Sequence, residues 1–426
     1  MAYLFEKYAA VNELSVYNKP SSEKKVINKI LLGTWLGIVG EKGDYYEVKT
    51  VGPDGWVKKR EVTDDKHLKV FYIDVGQGDA ALIEIGDKRI IIDGGPNDNL
   101  RKYLSGWQYS YVLDQDEKVH IDYVFISHFD SDHYFGLTSL INDDRFTFGT
   151  IYHNGIARFN TKRGLRPNIY DEDLGETFTH QNDQYLKTGF DNLNDLNNII
   201  NTDGLQSSFK KFAQALQNAS GQGRLNGIKQ LSHRNGKIIE ENINNINFAI
   251  EILGPVKTVI NGEEYFKWFE DSSHTRNGHS IVMKISYGEI SLLFAGDLNS
   301  DSENHLINHY GANNPFQVDV AKSCHHGSSD FTIDFLKKLK PYATIISSGD
   351  NESYSHPRAD AIGCSGKYSR GSRPKVFSTE LARSINSGGD VLYGMINLRS
   401  NGKGVYMAQM KERRTGSDVW DSYKVK

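Results

Sequence analysis

Apolar residues along this chain gather in short runs, and polar turn residues break them at regular intervals. From residue 8 to about 63 the runs lie at 25–32, 34–39, 45–49 and 55–58. They are cut by Lys19-Pro20-Ser21, Glu41-Lys42-Gly43-Asp44 and Gly52-Pro53-Asp54-Gly55, a pattern that predicts a small all-β unit. A polar hinge at 63–67 follows, and then the pattern changes. Strand-like runs at 68–75, 80–85, 88–92 and 124–127 alternate with helical periodicity at 99–104 and 136–141. Strand signals resume at 246–253, 280–287, 291–295, 319–324, 343–347, 375–378, 394–398 and 404–411. Polar residues mass where these strands end, which in α/β sheets is where ligand sites lie. The stretch 154–245 is dense in Asn, Asp, Gln and Gly, with its best helical run at 207–218. It reads as an insertion that flanks or covers a site, or as surface decoration. The predicted division is therefore 1–65, all β, and 66–426, α/β with an insertion at about 154–245.

Composition narrows the classes. At 426 residues, two domains are expected. A hydrophobic share of 38% supplies a real core and excludes wholesale disorder. The net charge of −4 excludes a general basic coat but leaves room for a local basic groove. No run approaches the roughly 18 apolar residues of a membrane span. The start of the chain has no basic region followed by an apolar run, so no membrane span and a cytoplasmic location are expected. The two cysteines, Cys324 and Cys364, cannot build a disulfide framework or a thiolate zinc site. Any metal must be held by histidine and carboxylate.

Four strand ends carry the candidate chemistry. After Val124-Phe125-Ile126 comes Ser127, then His128-Phe129-Asp130-Ser131-Asp132-His133. A loop there can turn His128 and Asp130 toward one cation, and Asp132 and His133 toward a second. These donors suit zinc, manganese or iron. The plain alternative is a polar loop in which Asp132 caps a helix. Leu292-Leu293-Phe294-Ala295-Gly296 delivers Asp297, a candidate bridge between two ions. Val320-Ala321-Lys322-Ser323-Cys324 leads into His325-His326-Gly327-Ser328, of which one imidazole is the candidate ligand. Finally, Ile345-Ile346-Ser347 precedes a loop with Tyr354-Ser355-His356-Pro357. His356 could protonate a leaving group, and Ser347 could touch substrate. Either could equally serve only the local turn.

Taken in order, Asp74-Val75-Gly76-Gln77-Gly78-Asp79, Asp93-Gly94-Gly95, His128 to His133, Gly296-Asp297, His325-His326-Gly327-Ser328 and His356-Pro357 resemble the metallo-β-lactamase fold. The likeness is to the soluble hydrolase domain of ComEC-type competence proteins, over residues 68 to about 412. It implies an αβ/βα sandwich with a dinuclear site at one end. It further implies His128, Asp130, Asp132, His133, Asp297 and His325 or His326 as metal ligands. Asp130 stands where the wider fold has a second His, which favours a harder ion such as manganese. His279, in Asn277-Gly278-His279-Ser280, could supply the ligand that lies before the strand to Asp297, with His274 as a rival. The likeness makes Asp93 a residue that orients the ligands, and Asp74 and Asp79 residues of the turn. The first 65 residues are similar to a bacterial SH3-like barrel on the strength of Leu14-Ser15-Val16, Tyr45-Tyr46-Glu47-Val48 and Gly55-Trp56-Val57. Trp35, Tyr45, Tyr46 and Trp56 are expected to supply its core or groove.

The resemblance implies a hydrolase in which two divalent ions, zinc or manganese, activate a water for attack on phosphorus or a carbonyl. Asp132 and His356 would then be the catalytic groups. A phosphodiesterase, and more narrowly a nuclease, is the first expectation. Arg358, Lys367, Arg370, Arg373 and Lys375 could contact phosphates, with Arg358 and Arg373 the foremost, although such a cluster can equally be a solvated loop. The family's membrane channel and oligonucleotide-binding domain have no counterpart, so an intracellular nuclease rather than DNA uptake is expected. A phosphorylcholine esterase-like or lactonase-like hydrolase is the alternative. A further one is a non-catalytic adaptor that binds a protein partner through the SH3-like unit.

Overall fold

The computed structural model describes residues 3–161, 173–201, 204–349, 353–379, 384–385, 391–392, 395–415 and 417–426. Side-chain alternation shows how its layers arise. In the strand Leu68–Tyr72, Leu68, Val70 and Tyr72 enter one apolar cluster and Phe71 enters another. Ala81–Ile85 repeats the division, with Ala81, Ile83 and Ile85 on one face and Leu82 on the other. The period of two, with both faces apolar, marks a sheet buried on both sides.

Nine strands form that sheet, in the spatial order Leu225–Gln230, Phe146–His153, Val119–Phe125, Lys88–Ile92, Ala81–Ile85, Leu68–Tyr72, Ile396–Ser400, Val405–Thr415 and Asp418–Lys424. Its outer face packs on helices Asn99–Tyr103, Ser131–Ile141, Leu193–Ile200 and Ser207–Gly221, through Leu137, Leu140, Leu196, Phe209 and Phe212. Its inner face meets a second sheet of seven strands: Gly236–Ile243, Ile246–Gly254, Val282–Tyr287, Ile290–Phe294, Val320–Lys322, Ala343–Ile346 and Lys375–Ser378. Phe248, Ile250, Met283, Ile285 and Leu292 fill the space between the sheets. On the far side of the second sheet, Val282, Leu293 and Ala321 pack against Leu306, Phe335 and Leu339 of helices Ser300–Tyr310 and Ile333–Leu339. The layers thus run helix, sheet, sheet, helix.

Within the stretch 154–245, read as an insertion, two strands belong to the sandwich itself. Its strand Leu225–Gln230 pairs in parallel with Phe146–His153 at the edge of the first sheet, and Gly236–Ile243 forms an edge of the second. Residues 162–172 and 202–203 of it lie outside the described residues. Short apolar runs separated by polar spacers hid these strands.

The N-terminal region is a seven-stranded sheet, ordered Val26–Leu31, Glu13–Tyr17, Gly55–Lys58, Tyr45–Lys49, Trp35–Lys42, Phe5–Ala9 and Val62–Thr63. Its core is aliphatic: Leu14, Val16, Ile30, Leu36, Ile38, Val48 and Val57. Trp35, Tyr45, Tyr46 and Trp56, expected in its core or groove, are half-buried and stand outside that aliphatic core. The sheet leans on the C-terminal strand Asp418–Lys424, where Trp420 Nε1 donates to Lys29 O at 2.9 Å and Ser422 Oγ bonds Glu13. Among the described residues no helix is long and apolar enough to cross a membrane.

Candidate metal centre

Parallel pairing brings the chemistry together. Lys88–Ile92 and Val119–Phe125 run parallel, so Asp93 and Ser127-His128 emerge at one edge. In the second sheet Ile290–Phe294, Val320–Lys322 and Ala343–Ile346 are parallel, so Asp297, His325-His326 and Ser347 emerge at the matching edge. The two edges are joined where Ile281 N donates to Ser127 O at 2.9 Å.

Helix Ser131–Ile141 begins earlier than its apolar periodicity suggests, so Asp132 and His133 sit on its first turn rather than in a loop. That turn is pinned on two sides: Gly94 N donates to His133 O at 2.6 Å and Asp79 N donates to Asp132 O at 3.1 Å. Gly136 makes the close approach possible, because a Cβ there would lie 2.1 Å from Gly94 O.

Asp79, His133, Asp297 and His326, all buried, have ligand atoms within 4.8 Å of one another. His133 Nε2 lies 3.2 Å from Asp297 Oδ1 and 3.3 Å from His326 Nε2. His326 Nε2 lies 3.2 Å from Asp297 Oδ2 and 3.3 Å from Asp132 Oδ2. The Nδ1 atoms face outward. That of His133 is 3.0 Å from Asp93 Oδ2, and that of His326 donates to Ser347 O at 3.0 Å. These bonds select the tautomer that aims each Nε2 lone pair into the centre. Asp93 is itself held by Ser127, whose N and Oγ both donate to it at 2.7 Å.

Asp79 stands on the Nδ1 side of His326, at 3.3 Å, and pairs closely with the buried Lys322. It pairs with Lys322 while staying within the convergent group, and Asp132 adds a further carboxylate beside His326 Nε2. Burial alone would raise the Asp79 carboxyl, but Lys322 and then His326 outweigh it and hold it well below the usual range. Burial pushes His133 and His326 down, yet Asp297 pulls both well above the ordinary imidazole value. The centre sets one fixed cation, Lys322, against the carboxylates of Asp79, Asp132 and Asp297. Asp297 Oδ1 and His128 Nε2 are buried without a hydrogen bond. Two imidazoles and two carboxylates around such orphaned atoms fit a divalent transition ion.

His325 and His326 both adopt left-handed backbone, at φ 45° and 53°. Strain of this kind collects at functional sites. It turns the His326 ring into the centre and leaves His325 Nε2 3.9 Å from Asp297 Oδ2, with its side chain partly exposed. The His356 ring lies 5.7 Å from that of His325 and 6.3 Å from that of His326, and its Nδ1 is 3.4 Å from Gln77 Nε2.

His128 and Asp130 form a separate corner. His128 Nε2 is 3.7 Å from Asp130 Oδ2, and its Nδ1 lies between Ser127 Oγ and Ser280 Oγ. Asp130 Oδ1 is 2.5 Å from both Arg158 Nη1 and Arg276 Nε. The same arginines reach Asp173 Oδ2, at 3.0 and 3.2 Å. Burial would raise Asp130, but His128, Arg276 and Arg158 hold it far below the usual range.

Other sequence candidates fall outside the centre. The His279 ring stacks on Phe269 and its Nε2 bonds Lys267 O at 2.7 Å, while burial lowers its pKa to about 3. His274 pairs with Asp271 at 2.9 Å near the surface. Asp74 accepts from Gly76 N at 3.0 Å within its turn. Ser347 contributes its carbonyl and is buried. Arg358 is exposed, with its backbone N donating to Gly327 O, and Arg373 is exposed with its carbonyl accepting from Lys375. Arg370 is bound to Asp319 at 3.1 Å and is not free for a phosphate.

Sequence reasoning missed the central position of Asp79, and it missed Lys322, Arg158 and Arg276. A lysine in the otherwise apolar strand Val320–Lys322 was a usable signal. The two arginines carried none, since residues 118 positions apart in sequence meet only through the fold.

Residues 73–195 match the family model described as Metallo-beta-lactamase superfamily, so the chain carries a domain of that superfamily, with its mixed α/β fold. Over 89 residues the chain is 33% identical to ComE operon protein 3 of Bacillus subtilis (strain 168), which is 21% of this chain and 11% of that protein. Over 95 residues it is 35% identical to Competence protein ComA of Neisseria gonorrhoeae, 22% of this chain and 14% of that protein. The aligned stretches thus span a small part of both relatives. Among solved structures it is similar to Igni18, a metallo hydrolase from Ignicoccus hospitalis, with 12% identity, 76% of this chain and 98% of that one covered, and a TM-score of 0.36. It is also similar to a diphosphatase from the PhnP family, with 9% identity, 65% and 85% covered, and a TM-score of 0.29.

Proposed function

We propose that this chain is a metal-dependent hydrolase of phosphodiesters, with nucleic acid as the substrate class. The observation that carries the reading is the inward convergence of His133 Nε2, His326 Nε2, Asp297 and Asp132, with partly exposed His325 and His356 on the open side. A divalent ion, zinc or manganese, bound there would supply an activated water and polarise a phosphoryl oxygen. The chain's own residues do the rest. Asp93 and Ser347 O hold the two imidazoles in register. Lys322 adds a fixed positive charge beneath the centre, 4.0 Å from Asp297 Oδ1, which suits an anionic transition state. His356, oriented by Gln77, is the group placed to protonate a leaving oxygen, and Arg358 and Arg373 would meet a polymeric phosphate backbone beyond it. The ComEC-type resemblance of the motifs supports the phosphodiester class.

The N-terminal sheet fits an SH3-like module that binds polymer or a protein partner rather than taking part in chemistry. No histidine lies before His67. Turnover of bis-p-nitrophenyl phosphate by metal-loaded protein, beside a lactone panel and a phosphorylcholine ester, tests the reading. Phosphodiester turnover lost on chelation is expected. Activity confined to lactones or choline esters would replace it, and a loaded protein inert to all three would leave the module as an adaptor.

A further inference from the structure

The loop and helix turn from His128 to His133 offer two sets of donors, and a two-ion site would use both. Only one set is open to a cation. Asp132 and His133 look onto Asp297 and His326, and the cation on that side, Lys322, is paired with Asp79 and stays 4.0 Å from Asp297 Oδ1. Asp130, in contrast, already carries two guanidinium groups at 2.5 Å. Those groups are locked: each also reaches Asp173, Arg158 Nη1 donates to Phe129 O at 2.8 Å, and Arg276 Nη2 reaches Ser273 Oγ at 3.3 Å. The two arginine side chains are only 12% exposed, and if either swings out, Asp130 and Asp173 are left to share a single guanidinium.

The corner also lacks a third donor. Among the described residues the groups of three or more convergent ligands reduce to Asp79, His133, Asp297 and His326, without His128 or Asp130. His279 is committed to Lys267 O. Ser280 Oγ stands beside the Nδ1 face of His128 at 3.2 Å, on the side away from its free Nε2. A dication placed beside Asp130 would sit against two fixed positive charges in a poorly screened interior.

We propose that this centre takes one divalent ion, on the side of Asp132, His133, Asp297 and His326, and that the paired guanidinium groups of Arg158 and Arg276 fill the role of the second. The inference rests on the metal-dependent reading above and sets its stoichiometry. Arg158 and Arg276 are positioning residues: they neutralise Asp130 and brace the His128 corner without a second ion.

The test is calorimetric and spectroscopic titration of the chelator-stripped full chain with Mn²⁺, with bound metal counted by elemental analysis. One equivalent with an isolated six-line resonance is expected. Two equivalents, or an exchange-coupled spectrum, would overturn the proposal. In the double variant Arg158→Gln, Arg276→Gln, Asp130 is freed and a second, weaker equivalent is expected to appear. A folded double variant that still binds one would show that the arginines are not what excludes the second ion. If that variant does not fold, the resonance of the parent protein decides. One tight equivalent without phosphodiester turnover would sink the hydrolase reading and leave this one standing. Two equivalents with turnover would do the reverse, and no bound ion would remove both.

Discussion

Six consecutive residues, His128 to His133, build two corners that differ in everything except their donors. In one, Asp132 and His133 face the buried Asp297 and His326, and the one fixed cation beside them, Lys322, is paired with Asp79. In the other, His128 and Asp130 face Arg158 and Arg276, and the charge is already balanced. A carboxylate in a ligand-like motif is therefore not by itself a metal ligand. What stands opposite it decides, and the opposing groups come from distant parts of the chain.

The contrast can be broken at several points. The largest effect is expected at His326→Ala, which removes one Nε2 and exposes Asp297. Metal binding should be lost and hydrolysis should fall at least ~100-fold, since even partners behind the ligands are worth 10–100-fold. Parent-like metal content in this variant would place the ion elsewhere. At the other corner, Arg276→Leu leaves Asp130 and Asp173 short of a buried partner. A loss of roughly 3–5 kcal/mol in chemical denaturation is expected, with metal affinity on the Asp132 side much less affected. A variant as stable as the parent would mean that the guanidinium is not structurally committed.

Glu303 tests the same principle at a carboxylate with no ion pair among the described residues. It is buried, with Thr332 N and Oγ donating to it, and burial raises its pKa from 4.5 to about 8 despite those bonds. The sign follows from the raised value: the protonated form is the one that folding favours. This contribution is full below about pH 4.5 and is lost as pH rises through about 8. Parent protein should lose up to about 1.4 kcal/mol per pH unit across that window relative to Glu303→Gln. Parallel stability profiles of the two would refute the assignment.

Asp93→Asn keeps the shape behind His133 but removes the carboxylate that orients it. Metal affinity should drop about 10–100-fold with the fold intact, while Asp74→Asn, in the turn, should change it little. The smallest effect is expected at Trp420→Phe, which deletes the bond to Lys29 O between the N-terminal sheet and the last strand. It should cost about 1 kcal/mol and leave turnover of a small phosphodiester unchanged. A loss of turnover would show that the N-terminal sheet helps build the centre.

Local pattern was enough to find much of this. The alternation of Leu68 to Tyr72 and Ala81 to Ile85, the strand ends at Asp93, Ser127, Asp297 and Ser347, and the clustered donors of 128–133 are all short-range features, written in consecutive side chains. The all-β character of the first 65 residues was legible for the same reason. The strands Leu225–Gln230 and Gly236–Ile243 were not, because their apolar content is slight and their partners in the sheets supply the burial. Nor could spacing separate His325 from His326, since a left-handed turn sets which ring points inward. Asp79 reads as a turn residue until Lys322 and His326 are brought against it. The choice between an ion and an arginine pair at Asp130 lies furthest from the sequence. The donors are local, but their energy depends on burial and on charges contributed by residues 158, 173 and 276, which only the folded chain places within a few ångströms.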